Sequence, residues 1–233
     1  MLFRSRIGLA WSIAAVLYLN FGVKTRAAIA VAVLAGYGAL SALVAAPDAA
    51  GAGPLTFEGN LAGYIDRQFL PGKLIYGSFD PEGLLSTVPA VVTAMLGMFT
   101  GEFVRRGDIR GGRKTLWMAA AAAALLAAGL AFSGVLPVNK KLWSSTFVCV
   151  VGAYSLGMFA LFYYLIDVRG WRRWTLFFRV VGLNSITIYL AQRIVGFGRI
   201  SDFFLGGIAS KCPEAVAAVI SSAGYVAVCW LFL

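Results

Sequence analysis

Two carboxylates and a lysine crowd into one polar stretch of an otherwise apolar chain. Asp80 and Glu82 sit in YGSFDPEGLLST, residues 76–87, with Lys73 slightly upstream. Carboxylates placed this way can accept hydrogen bonds from the hydroxyl and amino groups of a polar substrate at the mouth of a helix bundle. They can equally open a helix: Asp80 suits the N-cap, Pro81 the first helical position and Glu82 the positive end of the helix dipole. Spacing alone leaves both readings standing.

A second polar group is PVNKKLW, residues 137–143. Asn139 and Lys140 either point into a polar cavity, or cap the following helix and face lipid headgroups beside Trp143 in the aromatic belt. A third group, Arg179, Asn184, Ser185, Thr187, Gln192 and Arg193, lies inside an apolar run. Arg179 and Arg193 lie near its ends and can snorkel. Asn184, at mid-span, must bond a neighbouring helix or line a site, with Ser185 beside it. Histidine is absent from the 233 residues, which removes the commonest general base and the commonest metal ligand. Cys149, Cys212 and Cys229 show no C-x-x-C spacing, so neither a disulfide framework nor a metal site is expected.

The elements that carry these residues are membrane helices. The chain is 60% hydrophobic and 13% charged, against about 25% charged residues in soluble domains. Crossing roughly 30 Å of hydrocarbon takes about 20 apolar residues. Seven runs reach or approach that length, at about 7–22, 27–46, 84–104, 115–136, 144–166, 175–195 and 213–233. The expected fold is therefore all-α, a polytopic membrane bundle of about seven transmembrane helices forming one domain over residues 1–233. The first run follows Arg4 and Arg6, and no small-residue cleavage site follows it, so it reads as a span rather than a signal peptide. A span so close to Met1 makes the chain read as truncated. Residues 47–83 form the one long loop, within which Leu61, Ile65 and Phe69 share a helical face and predict a short amphipathic helix at the interface.

The net charge of +10 is gathered in clusters between apolar runs, with no nucleic-acid motif beside them. That distribution fits topology signals and anionic headgroups of the lipid bilayer. Three short turns, 24–26, 105–114 and 169–173, hold ten Lys and Arg. The positive-inside rule places them and the C-terminus in the cytoplasm, with 47–83 and 137–143 outside.

Several ordered motifs resemble heparan-α-glucosaminide N-acetyltransferase and its bacterial relatives. They are DPEGLLSTVP from Asp80, LGMFTG from Leu96, PVNKKLWS from Pro137, DVRG from Asp167 and GLNSI from Gly182. The resemblance implies a transmembrane acyltransferase of about eleven helices, of which this chain corresponds to the C-terminal part. It implies acetyl-CoA as co-substrate on the cytoplasmic side, and an amino sugar or polysaccharide as acceptor on the other. It places the protein in a membrane, for a bacterial relative the inner one. Asp80, Glu82, Asn139, Lys140, Asn184 and Ser185 would then hold the acceptor and the acyl oxygens. Arg105, Arg106 and Arg110 would meet the coenzyme A phosphates or serve simply as topology signals.

The departures are as informative. The family's catalytic histidine lies in an N-terminal region with no counterpart here, so no catalytic residue is identified and the chain alone is expected not to turn over. Where relatives often carry a Gly-His-Glu-like segment after the Asn-Ser-Ile motif, this sequence reads Ala191, Gln192, Arg193. Two other classes stay open. A small transporter or channel predicts an internal repeat, and none is visible between the halves. A non-catalytic membrane subunit predicts a separate histidine-bearing partner. Homo-oligomerisation is open too.

Overall fold

The computed structural model describes residues 6–233; Arg4, one of the basic residues ahead of the first apolar run, lies outside them. The described residues are helical, and pairing outside helices is limited among them to one antiparallel bridge, Ala45 to Asn60. The chain divides into two compact units, Met1–Arg169 and Gly170–Leu233.

In the first unit, α1 (Arg6–Asn20), α2 (Val23–Leu43), α4 (Leu84–Arg105), α5 (Gly111–Ala131) and α6 (Ser145–Tyr163) pack together, and a short α3 (Leu61–Phe69) lies against α4 and α2. A π-helical turn, Tyr164–Val168, continues α6. The core is built from small residues: Ala10 and Ala14 of α1 and Ala30 of α2 lie with Ala90, Val92 and Met95 of α4. Small side chains let helix backbones approach closely where lipid offers no hydrophobic drive of its own.

Side-chain contacts fix the helix directions. Arg6, opening α1, bonds the Pro81 and Ser86 carbonyls at the start of α4, so α1 and α4 run parallel. Arg26, near the start of α2, pairs with Glu102 near the end of α4 at 2.8 Å, so α2 is antiparallel to both. Gly129, late in α5, lies against Cys149 and Val150, early in α6. One end of the unit therefore collects the start of α1 and the segments 44–83 and 132–144. The other collects the turns at 21–22 and 106–110 and the π-helical turn. This is the segregation that the basic turns of the sequence predicted within this unit.

The second unit holds α7 (Thr175–Leu183), α8 (Ser185–Ile194), α9 (Phe197–Ala209) and α10 (Glu214–Phe232). Ala191, Phe197 and Cys229 form its small core. The Trp230 indole donates to the Phe177 carbonyl at 3.2 Å and stacks on the Phe177 ring.

Among the described residues five helices are long and apolar enough to span a membrane: Val23–Leu43, Leu84–Arg105, Gly111–Ala131, Ser145–Val168 and Glu214–Phe232. The two other expected runs differ for identifiable reasons. The described part of α1 has 15 residues, roughly 22 Å of helix, less than the thickness of a hydrocarbon core. The run at 175–195 is not one helix. It breaks at Asn184, whose backbone leaves the helical region (φ −111°, ψ 22°) and whose side chain donates to the Val180 carbonyl at 3.0 Å. Asparagine competes for backbone groups in this way and loosens helix interiors. The sequence also gave no helix to residues 196–212, yet α9 occupies most of them. Arg199 and Asp202 dilute its hydropathy, which hides an apolar face carrying Phe203, Phe204 and Ile208.

Candidate functional site

The long segment before α4 is a built structure. Asn60 caps α3, its Oδ1 accepting from the Gly63 amide at 2.6 Å. From α3, Arg67 holds Asp48 through Nε and Nη2, at 2.8 and 2.6 Å, and donates to the Ser78 carbonyl at 2.5 Å. These bonds pin both ends of the loop to one short helix. The buried face of α3 is Ala62, Gly63 and Asp66, whereas Phe69 is exposed. The helix forms where the periodicity predicted it, and the face it turns into the protein is the one carrying Asp66, because its buried carboxylate has a structural partner.

That partner is the start of α4. Asp66, fully buried, accepts the Leu84 amide on Oδ1 at 2.9 Å. The N-cap position itself is Gly83, and a Cβ there would overlap the Asp66 carboxylate. The sequence reading that made Asp80 the N-cap is corrected here. Helix α4 opens at Leu84, and its first free amide is satisfied from α3, a long-range cap that sequence spacing cannot show. Asp80 instead organises the turn, accepting the Glu82 amide on Oδ1 at 2.8 Å while its carbonyl accepts from Gly83 at 3.1 Å.

Arg6 closes the other side. Its Nη1 donates to the Pro81 carbonyl at 2.6 Å and its Nη2 to the Ser86 carbonyl at 2.5 Å. The guanidinium lies 4.1 Å from the centroid of the Trp143 ring. Asp66 Oδ2, Glu82 Oε2 and Arg6 Nε are buried without a hydrogen-bond partner among the described residues. Buried polar atoms are nearly always paired, so such a cluster marks a place built for something other than packing. Burial pushes the Asp66 carboxyl up to about 6 from its ordinary 3.8; the Leu84 and Asp80 amides oppose that, the Asp80 charge adds to it, and Arg67 again opposes it.

The second loop meets the first here. Leu142 and Phe79 are buried together with Ala62, the Leu142 carbonyl accepts from Tyr37 Oη at 2.5 Å, and the Lys141 ammonium lies 4.6 Å from the Tyr76 ring centroid. Trp143 has φ 52°, the left-handed region, and is the one non-glycine there among the described residues. Such a backbone costs of order 1–3 kcal/mol and persists only where its surroundings over-determine it. Trp143 is held by Arg6, by the Phe147 ring edge and by a 3.2 Å bond from its indole to Thr93. Asn139 does not cap α6. Ser144 does, accepting from the Phe147 amide at 3.2 Å, while Asn139 Oδ1 accepts from the Lys141 amide at 2.8 Å and orders the turn. Lys140 is exposed beside it.

The structure thus brings Asp80, Glu82, Asn139 and Lys140 to one end of the first unit. It adds Arg6, Asp66 and Trp143, to which the sequence reading gave no site role. Arg6 reads as a topology flank and Asp66 as one polar residue of an amphipathic helix; only the alternation of buried Ala62, Gly63 and Asp66 against exposed Phe69 could have hinted at the second. Arg105, Arg106 and Arg110 are exposed at the opposite end, where Arg106 is engaged by Asp108 at 2.8 Å. Asn184 and Ser185 belong to the second unit, at the break between α7 and α8. No group of three metal-ligating side chains occurs among the described residues.

These features define an integral, polytopic helical membrane protein with a polar, carboxylate-bearing site beyond its helix ends. The chain is 31% identical over 157 residues to heparan-alpha-glucosaminide N-acetyltransferase of Homo sapiens, a match covering 58% of this chain and 23% of that protein. It is 30% identical over 155 residues to the Mus musculus protein of the same name, covering 59% of this chain and 24% of the relative. The resemblance read from the motifs is borne out. The chain spans about a quarter of the length of these curated relatives. No family model matches it.

Proposed function

We propose that the chain forms the acceptor-holding portion of a membrane acetyltransferase that moves an acetyl group from acetyl-CoA to the amino group of a sugar or polysaccharide. In that reaction the amine nitrogen attacks the thioester carbonyl, the C–N bond forms, the C–S bond breaks and coenzyme A leaves as its thiol. The observation that carries the reading is the meeting of DPEG and NKKLW around Arg6, with buried carboxylate oxygens that have no partner among the described residues. Glu82 and Asp80 accept hydrogen bonds from the acceptor's ammonium and hydroxyls, and Lys140 donates to its oxygens. Asn184 and Ser185 are further substrate-holding groups within the second unit. Arg105 and Arg110 face the donor phosphates; Arg106, tied to Asp108, contributes less. Histidine being absent, these residues hold substrate and the proton acceptor lies elsewhere, so the chain alone does not turn over. The site end faces away from the cytoplasm, the C-terminus faces it, and the membrane is the bacterial inner one.

The test is binding. Glucosamine should raise the thermal midpoint of the purified protein, and Asp80→Ala or Glu82→Gln should abolish that rise while leaving the unliganded midpoint within a few degrees. No stabilisation of the wild type by glucosamine, its oligosaccharides or acetyl-CoA sinks the reading. The break at Asn184 supports a second one, because discontinuous helices commonly build transport sites. Glucosamine flux into liposomes holding the protein, without acetyl transfer, would establish that alternative.

A further inference from the structure

Helices α4, α5 and α6 bound a groove of about 800 Å³ whose walls are apolar apart from the hydroxyls of Thr93, Thr100 and Ser155. Along α4 it runs from Thr93 to Phe103. Ten residues of helix measure roughly 15 Å, half of a hydrocarbon core of roughly 30 Å. The groove is therefore one leaflet deep. Gly97 and Gly101 leave open space where a Cβ would stand, and Trp117 and Phe159 on the facing helices are exposed. Such a wall opens sideways to hydrocarbon rather than to water.

Its mouth is charged. Arg105 lies four residues beyond Gly101, and Arg113 four residues before Trp117. Helix geometry places residues four apart on one face, so each arginine continues a groove wall one turn nearer the membrane surface. Both are exposed, and neither forms an ion pair among the described residues. Their neighbours are engaged: Arg106 by Asp108, and buried Lys114 by the Val104 carbonyl at 2.6 Å. Two open guanidinium groups from two helices thus flank a slot that is apolar and one leaflet deep.

We infer that this groove binds an anionic phospholipid from the leaflet on the basic side. Arg105 and Arg113 hold its phosphate, which guanidinium groups match in shape and charge, and an acyl chain lies along Gly97 and Gly101 against Trp117 and Phe159. Arg105 is also the side chain that the acetyltransferase reading gives to the donor phosphates, so the two readings compete for it, whereas Arg113 and the groove belong to the lipid alone.

Native mass spectrometry of the protein, equilibrated with equal phosphatidylglycerol and phosphatidylcholine of identical chains, tests it. At about 1 kcal/mol per arginine near an anionic surface, phosphatidylglycerol should be retained roughly tenfold or more over phosphatidylcholine. R105A/R113A should bring the two lipids to parity. Gly97→Leu, whose Cβ meets no neighbour, should lower retention of both. Equal retention by the wild type, or an unchanged preference in the double variant, overturns the proposal. If the double variant loses binding of free coenzyme A but keeps its lipid preference, the mouth is a nucleotide site and the proposal falls. It also falls if Gly97→Leu alters the oligomeric state with lipid retention unchanged, since the groove then holds a second copy.

Discussion

Asp66 does at residue scale what no neighbour in sequence could do for α4. It joins two helices by accepting the first free amide of one from the body of the other, and its second oxygen has no hydrogen-bond partner among the described residues. Its folded carboxyl titrates near 6, above its ordinary 3.8, so between those values the folded state holds a proton that the unfolded state has released. Stability from this group is greatest at low pH and declines as pH rises from about 4 to about 6, by at most roughly 3 kcal/mol. Asp66→Asn keeps an acceptor for Leu84 but cannot ionise. Thermal midpoints of wild type and variant, measured across pH 4–7, should diverge over that window and run parallel above it. Asp66→Ala, which removes the acceptor, should cost about 0.5–2 kcal/mol even at pH 4. An Asp66→Ala midpoint equal to wild type at pH 4 would show that the cap is not worth its bond.

The element scale is governed by how closely helices approach. Gly129 brings α5 so near α6 that a Cβ would stand 2.8 Å from the Val150 side chain and 3.2 Å from the Thr146 carbonyl. Gly129→Val should lower the thermal midpoint by the equivalent of about 1–3 kcal/mol, the usual range for overpacking. Gly97→Val, facing open space, serves as the control and should be nearly silent. The helices themselves were legible in the sequence because lipid demands long apolar runs, and α2, α4, α5, α6 and α10 lie close to where hydropathy set them. Composition could not show the break at Asn184, since a single polar residue leaves a window apolar while its side chain takes a backbone carbonyl. Nor could it show α9, whose charges at Arg199 and Asp202 mask a helical face. At the site, Asp80, Glu82 and Asn139 drew notice by being polar in apolar surroundings. Arg6 and Asp66 did not, because their importance lies in partners 75 and 18 residues away.

For the whole molecule, the contacts of the first unit sort its loops onto two ends. Arg6, Asp66, Asp80 and Trp143 gather at one end; Arg26, Glu102 and the loop around Arg110 gather at the other. Single cysteines introduced at Lys73 and Lys140, in a background with the three native cysteines replaced, should react with an impermeant thiol reagent from the same side of intact cells. A cysteine at Arg110 should react only after permeabilisation. Labelling of Arg110→Cys together with Lys140→Cys in intact cells would overturn the separation of the two ends.

The reach of Arg6 also orders the protein's birth. Its carbonyl partners lie 75 and 80 residues downstream, and the Trp143 ring that shields it lies further still. While α1 is being synthesised none of these exists, so the bonds of Arg6 and the seat of α1 against α4 form only once α4 has been made. Its final seat is taken late.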